Sequence, residues 1–351
     1  MTPGRIPVAV LGAAGYIGQH FVRLLADHPD FEIRSLSGGP RSAAHRLADL
    51  WQISAEPPES VADRRIGRTD PGRLVADGVE VVFSALPSGT AGPLEADLAR
   101  RGLHVFTNAA DHRMDPEVPL LVPEVNAPHL TALTRRRPGL LVANANCTTT
   151  GLVLALAPIL GVTRPSWVSV ASYQALSGAG LPGVASLHAT DNVVPFIPQE
   201  EEKVAAESRR ILGRVADGRV RDRTLPFLAQ CVRVPVRDGH LEAITLKARG
   251  RPSREEIVEA FQRFDPLGDR ELPSAPRPPV LLRTEPDRPQ PVLDRWAGRP
   301  ERARGMAVVV GRLRWEPPYL RFFGLSHNAV RGGAGGSVLN AELALRLGLL
   351  S

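Results

Sequence analysis

The sequence predicts an α/β protein of two domains. Three observations carry this. Over the first 150 or so residues, strand-like and helix-like segments alternate, which implies a parallel sheet with helices on both faces. After about residue 165 the segments become strands of mostly alternating character, which implies an α+β domain with a mostly antiparallel sheet. A glycine-rich turn joins the first strand to the first helix, as in a doubly wound fold.

Each element follows from a local pattern. Ile6–Leu11, "IPVAVL", is a short apolar run and reads as a buried strand. "IGQHFVRLLADHP" then carries apolar residues at helical spacing. "FEIRSLSG" and "VEVVFSALPS" read as the next two strands. "PLEADLARRGLHVFTNAA" gives a helix and a strand, "GLLVANANC" a strand, and "TTTGLVLALAPIL" a helix. In the second half "PSWVSVASYQAL", "QCVRVPVR", "HLEAITLKARG" and "MAVVVGRLRWE" are strands, with the helix "SREEIVEAFQRF" between two of them. The Pro-rich run "PSAPRPPVLLRTEPDRPQP" reads as a loop or arm. The end, "GGSVLNAELALRLGLL", reads as an amphipathic helix. The expected division is residues 1–146 with the C-terminal helix, 328–351, as one domain and 147–327 as the other.

Bulk properties narrow the function. At 351 residues the chain exceeds one ordinary core. No apolar run approaches the roughly 18–20 residues of a membrane span, and no signal or transit segment is expected ahead of the first strand. Two cysteines rule out a disulfide scaffold, so the expected compartment is the cytoplasm. The net charge of +6 is spread among acids, with no basic run interleaved with aromatics, so nucleic acid is not expected as a partner. Only Lys203 and Lys247 are lysines. No metal site is expected.

"GAAGYIG" sets Gly12, Gly15 and Gly18 three apart at the strand–helix turn. Glycines there let the backbone approach a pyrophosphate at the helix N-terminus. This points to a Rossmann-like dinucleotide-binding domain, with Tyr16 and Ile17 in the same turn, unless the run is a plain strand–helix turn. The second strand ends in "SLSGGPRSAAHR", without the acid that would hold a ribose diol. Arg41 and Ser42 suit a 2′-phosphate, so NADP is the expected cofactor, unless Arg41 is simply a solvated surface residue.

"NANCTTTG" puts Cys147 at a strand–helix junction, where the helix end lowers a thiol's pKa. By spacing alone Cys147 is either a nucleophile or a small buried residue. Cys231 lies inside a strand and reads as core. His240 follows the turn signal "RDG" and opens a strand, where it is either a base for the thiol or a bystander. Gln174 ends a strand before the small-residue loop "ALSGAG".

Taken together these runs resemble the aspartate-β-semialdehyde dehydrogenase family in its archaeal and fungal form. The resemblance covers "GAAGYIGQ", "FSALPSGTAGPLEADLARRGLHVFTNAADHRMDPEVPLLVPEVN", "NANCTTTGL", "YQALSGAGLPGV", "DNVVPFIPQEEEKV", "CVRVPVRDGHLEA" and "GLSHNAVRGGAGGSVLNAEL". It implies that Cys147 is the nucleophile, His240 the general acid/base and Gln174 the residue orienting substrate and thiol. It gives Arg233 the substrate α-carboxylate, Glu200 the substrate ammonium, and Arg113, Asn146 and Lys203 the phosphate. The register within Glu200–Glu202 is open by one residue. Ser88, Ser177, Gly178 and Asn328 fall on the nicotinamide side. The implied reaction is NADPH-dependent reduction of 4-phospho-L-aspartate through a Cys147 thioester, with release of phosphate. A homodimer or homotetramer is implied, joined through the second sheet. The alternatives are a related reductase of another acyl phosphate or of an acyl-CoA such as malonyl-CoA, and a non-catalytic NADP-binding sensor.

Overall fold

The computed structural model describes residues 4–133 and 138–350. Residues 1–3, 134–137 and Ser351, which the expected domain ranges include, lie outside the described residues.

Seven strands build the first sheet: β1 (Ile6–Leu11), β2 (Phe31–Gly38), β3 (Gly67–Arg68), β4 (Val81–Ser84), β5 (His104–Thr107), β6 (Leu120–Leu121) and β7 (Leu141–Asn144). They lie in the order β3-β2-β1-β4-β5-β7-β6, and every neighbouring pair is parallel. β1 has apolar side chains on both faces, as a sheet covered on both sides requires. Val8 and Val10 join a core with Phe21, Val22 and Leu25 of the first helix, Tyr16–Leu25, and with Val338, Leu339 and Leu343 of the C-terminal helix. Ala9 and Leu11 face the other core, with Leu98 and Ala99 of the helix Ala91–Arg100.

The C-terminal helix spans Gly335–Arg346, and Gly335 to Ala344 are all buried. It is therefore not the amphipathic helix expected. Its polar Glu342 faces inward, where it meets the His28 ring at 2.9 Å and accepts the Ser274 N–H.

The remaining strands are β8 (Arg164–Gln174), β9 (Arg214–Ala216), β10 (Arg219–Arg221), β11 (Phe227–Arg233), β12 (His240–Arg249), β13 (Val280–Leu282), β14 (Val308–Glu316) and β15 (Tyr319–Ser326). β9 and β10 form a small hairpin. The other six form one sheet, β11-β8-β12-β15-β14-β13. Its inner pairings are antiparallel; both edge strands are parallel to their neighbours. Two differences from expectation stand out. β13 lies within the Pro-rich run, where three apolar residues pair with β14. β15, absent from the expected strands, pairs along β12 and β14.

Between the sheets runs the helix Cys147–Leu156, buried from Thr148 to Leu156. Its leucines share one continuous core with Ala9 and Leu11 of β1 and with Val168, Ile244 and Val310 of the second sheet. Among the described residues, no helix is long and apolar enough to cross a membrane.

Candidate active site

Cys147 opens the helix that starts directly after β7. Asn146 caps that helix: its side-chain oxygen accepts the N–H groups of Thr148 and Thr149 at 2.9 and 3.1 Å. Such a cap is worth about 1 kcal/mol, and here it also fixes where the thiol stands. On β12 the residues His240, Glu242, Ile244 and Leu246 all face inward, and His240, at the strand's mouth, brings Nε2 to 3.2 Å from Cys147 Sγ. The other ring nitrogen, Nδ1, accepts the Ala175 N–H at 3.1 Å.

The acids and bases around this pair are strongly ordered. Glu200 begins the helix Glu200–Ile211 and is buried. Its carboxylate accepts from the Asn146 amide at 3.0 and 3.1 Å, from Thr148 Oγ1 at 3.2 Å and from Gln174 Nε2 at 3.0 Å. Glu201 and Glu202 are exposed, and Glu201 accepts the Cys231 N–H instead. Glu200 is thus the member of the triplet beside the thiol. Arg233, at the end of β11, donates to the Ala175 carbonyl at 2.8 Å. The backbone of Gly178 lies against both Arg233 and His240. Arg113 donates to Glu207 at 3.1 Å and to the Asn108 carbonyl at 2.8 Å. Lys203 sits one turn beyond Glu200 on the same helix and is half-buried.

The thiol departs from expectation. Burial, and next the charge of Glu200, push it up to about 12, against the opposing pull of Arg113, Arg233 and the Thr148 N–H. A helix end contributes about 0.3–1 kcal/mol, up to about 2 in favourable geometry, or roughly one pKa unit. Cys147 is only partly buried by its own surface, yet desolvation by the groups around it outweighs the helix end and raises the thiol. His240 is held down to about 3, first by burial and then by Arg233 and His327.

The glycine turn fits a dinucleotide. Gly12 has φ +72°, and a Cβ there would stand 2.6 Å from the Ala85 carbonyl oxygen. Gly15 precedes the first helix with no side-chain cap, and Tyr16, Ile17 and Gly18 form its first turn, leaving its first N–H groups without intrahelical partners. The Ala13 N–H bonds the Ser37 carbonyl, which ties this turn to the end of β2. The loop beyond carries Arg41, exposed, and Ser42, which donates to the Gly39 carbonyl. Ser88 is exposed and accepts the Ala110 N–H. Asn328 donates to Ser177 Oγ at 2.8 Å and accepts the Gly239 N–H at 2.9 Å, which joins the residues expected on the nicotinamide side to the His240 turn.

Two family models cover most of the chain. The semialdehyde dehydrogenase NAD binding domain matches residues 7–133, and the semialdehyde dehydrogenase dimerisation domain matches residues 156–331. An aspartate-semialdehyde dehydrogenase of Archaeoglobus fulgidus is 43% identical over 97% of this chain and 98% of its own length. The chain belongs to the aspartate-semialdehyde dehydrogenase family. The solved aspartate-semialdehyde dehydrogenase of Candida albicans with NADP superposes with a TM-score of 0.87 at 33% identity, covering 99% of this chain and all of that one. A malonyl-CoA reductase (NADP) of Metallosphaera sedula is 37% identical over 98% of both chains.

Sequence reasoning missed two residues of this site, Glu207 and Asp238. Glu207 is buried; one carboxylate oxygen accepts the Asn146 N–H at 2.7 Å and the other meets Arg113. The signal was available: Glu200, Lys203 and Glu207 fall at i, i+3 and i+7, one helix face. Tyr16, placed with the cofactor turn, donates its hydroxyl to buried Asp238, two residues before His240. That contact spans the two halves of the chain and has no sequence signature.

Proposed function

We propose that this chain reduces 4-phospho-L-aspartate to L-aspartate 4-semialdehyde with NADPH and releases phosphate, with Cys147 as the nucleophile. The supporting observation is the Cys147–His240 contact of 3.2 Å, flanked by two sets of charges. Arg233 and Glu200 suit an α-carboxylate and an α-ammonium, the marks of an amino acid. Arg113, Lys203 and the Asn146 amide suit a phosphoryl group. Arginine at position 233 offers a planar fork that a lysine would not.

Cys147 attacks the acyl carbon, and a thioester forms as phosphate leaves. When bound, NADPH supplies the hydride that reduces the thioester. Gln174, hydrogen-bonded to Glu200, orients the substrate beside the thiol. The turn residues Gly12 to Gly18 hold the pyrophosphate, and Arg41 and Ser42 the 2′-phosphate. Ser88, Ser177, Gly178 and Asn328 line the nicotinamide side. The first domain comprises residues 1–146 and the C-terminal segment 328–351, and the second 147–327. Packing of the C-terminal helix on the first sheet supports this division.

The protein assembles as a homodimer or homotetramer in the cytoplasm. The outer face of the second sheet supports the assembly: Tyr173, Leu228 and Tyr319 are exposed there, and the Trp167 ring lies 6.3 Å from that of Tyr319. The reading is tested by phosphate-dependent NADP reduction with aspartate semialdehyde, for wild type and Cys147→Ala. Activity in wild type and its loss in the variant are expected. Turnover of malonyl-CoA without aspartyl substrate turnover would transfer the chain to the acyl-CoA reductases.

A further inference from the structure

Proton transfer at His240 places a positive charge where most of the surroundings resist one. As Cys147 forms its bond to the acyl carbon, the thiol proton passes to the ring, and the departing phosphate takes a proton from water. On reduction the ring gives its proton to the oxygen of the reduced carbon. Collapse of the hemithioacetal returns that proton to the sulfur as the aldehyde leaves. In between, an imidazolium stands fully buried. Burial opposes it most, then Arg233 from β11 and His327 after β15, while Asp238 favours it. Cys147 Sγ touches the ring from the helix side at 3.2 Å.

Asp238 is buried, two residues before His240, and fixed from several sides. Tyr16 donates its hydroxyl to Oδ1 at 2.5 Å. Arg237 lies 3.7 Å from Oδ2, and Arg295 donates to the Asp238 carbonyl at 3.4 Å. The Gly239 N–H donates to Asn328, and Ser177 donates its N–H to the Arg237 carbonyl at 3.1 Å. His20, whose ring lies 5.0 Å from that of Tyr16, also feels the Asp238 charge. A buried carboxyl tends to keep its proton. Burial raises this one, but the bonds from Tyr16 and Ser177, with His327 and Arg295 nearby, outweigh burial and hold it below 3.8. Tyr16 belongs to the first turn of the helix that follows the glycine turn. With its hydroxyl committed to Asp238, it has only its backbone N–H to offer a pyrophosphate.

We propose that Asp238 is the counter-charge of His240, and that Tyr16, reaching over from the glycine turn of the first sheet, is the positioning residue that holds it in place. This rests on the acyl-phosphate reading above and leaves His240 as its acid/base. Neither residue touches the reacting atoms. Asp238 acts through the ring and Tyr16 acts through Asp238.

The proposal is tested with two near-isosteric variants. Asp238→Asn keeps the acceptor for Tyr16 and removes the charge. Its kcat should fall about tenfold, and the pH profile of kcat should move to lower pH by about one unit, because an imidazolium without its anion gives up the proton sooner. KM for aspartate semialdehyde and Kd for NADP should stay within about threefold of wild type. An unmoved profile, with the loss in KM or in Tm instead, is the mark of a structural role and overturns the proposal. Tyr16→Phe should lower kcat roughly five- to tenfold in the wild-type background and add less than about twofold to Asp238→Ala. Additive losses, or a Kd for NADP raised more than about tenfold by Tyr16→Phe, overturn the part given to Tyr16. A further arm needs no aspartyl substrate. p-Nitrophenyl acetate acylates a reactive thiol and releases p-nitrophenol, with Cys147→Ala as the blank. Release should be about tenfold slower in Asp238→Asn, and equal rates overturn the counter-charge. If aspartate semialdehyde is not turned over while this acylation still depends on Asp238, the assigned reaction fails and the counter-charge stands.

Discussion

At the scale of single residues, the site is a buried set of charges whose members hold one another. Glu207 holds two neighbours: it fixes the peptide N–H of Asn146, next to Cys147, and it pairs with Arg113. Glu207→Ala leaves both donors buried without that acceptor, which costs about 1–3 kcal/mol. Steady-state assays with phosphate as the varied substrate should show kcat/KM lowered by roughly 10- to 100-fold, with far-UV circular dichroism unchanged. The thiol gives a second expectation. Cys147 is raised from 9.0 to about 12, so its neutral form prevails below pH 9 and the thiolate appears as pH climbs toward 12. Cys231 is likewise pushed up, to about 11. Iodoacetamide labelling of the free protein, followed by mass spectrometry at Cys147, should be slow at pH 7 and rise steeply above pH 9. Fast labelling at neutral pH would contradict the dominance of burial.

At the scale of elements, the distorted turn Val330–Ala334 before the C-terminal helix lies close against Cys147. A Cβ at Gly332 would lie 2.7 Å from both Cα and Cβ of Cys147. Gly332→Ala must push the two backbones apart, an overpacking cost of about 1–3 kcal/mol. Its kcat should fall at least tenfold while NADP binding, followed by fluorescence titration, is largely kept. This contact also marks where sequence reading stops. The alternation of strands and helices made the parallel sheet legible, and the "NANC" and "RDGH" runs located Cys147 and His240. Those signals are local. The C-terminal helix was misread because Asn340 and Glu342 look like a polar face, yet both are buried and Glu342 finds its partner 314 residues away in His28. β13 was hidden by prolines on either side of it. Glu207 and the Tyr16–Asp238 bond depend on how helices and loops meet, which no spacing records.

For the molecule as a whole, the seam between the two halves is lined with uncharged histidines. His20 comes from the first helix and His327 follows β15; their rings lie 5.9 Å apart. Both are buried, and among the described residues none bonds their ring nitrogens. Trp296 covers His327 at 4.4 Å, and Arg23 lies over Trp296. Burial comes first in lowering His20 from 6.5 to about 3 and His327 from 6.5 to about 4. Arg23 presses both rings the same way and Asp238 opposes it; Arg295 adds to the pressure on His327. The sign is that of depressed groups. Stability is complete above pH 6.5 and is lost as pH falls toward 4, because the unfolded chain takes the protons first. At pH 5 each such histidine costs about 2 kcal/mol. His20→Phe should therefore flatten the fall in Tm between pH 7.5 and 5, measured by scanning calorimetry, and an unchanged slope would remove His20 from the cause.

The order in which a ribosome delivers the chain gives the Gly332 contact another meaning. Cys147 emerges well before Gly332. The backbone that walls it in, and the helix that closes one face of the parallel sheet, follow both the thiol and His240. A nascent chain therefore holds Cys147 before that wall exists. Catalytic competence waits for the Gly332 turn: a chain stopped short of it would carry the thiol and the histidine without the backbone that encloses them.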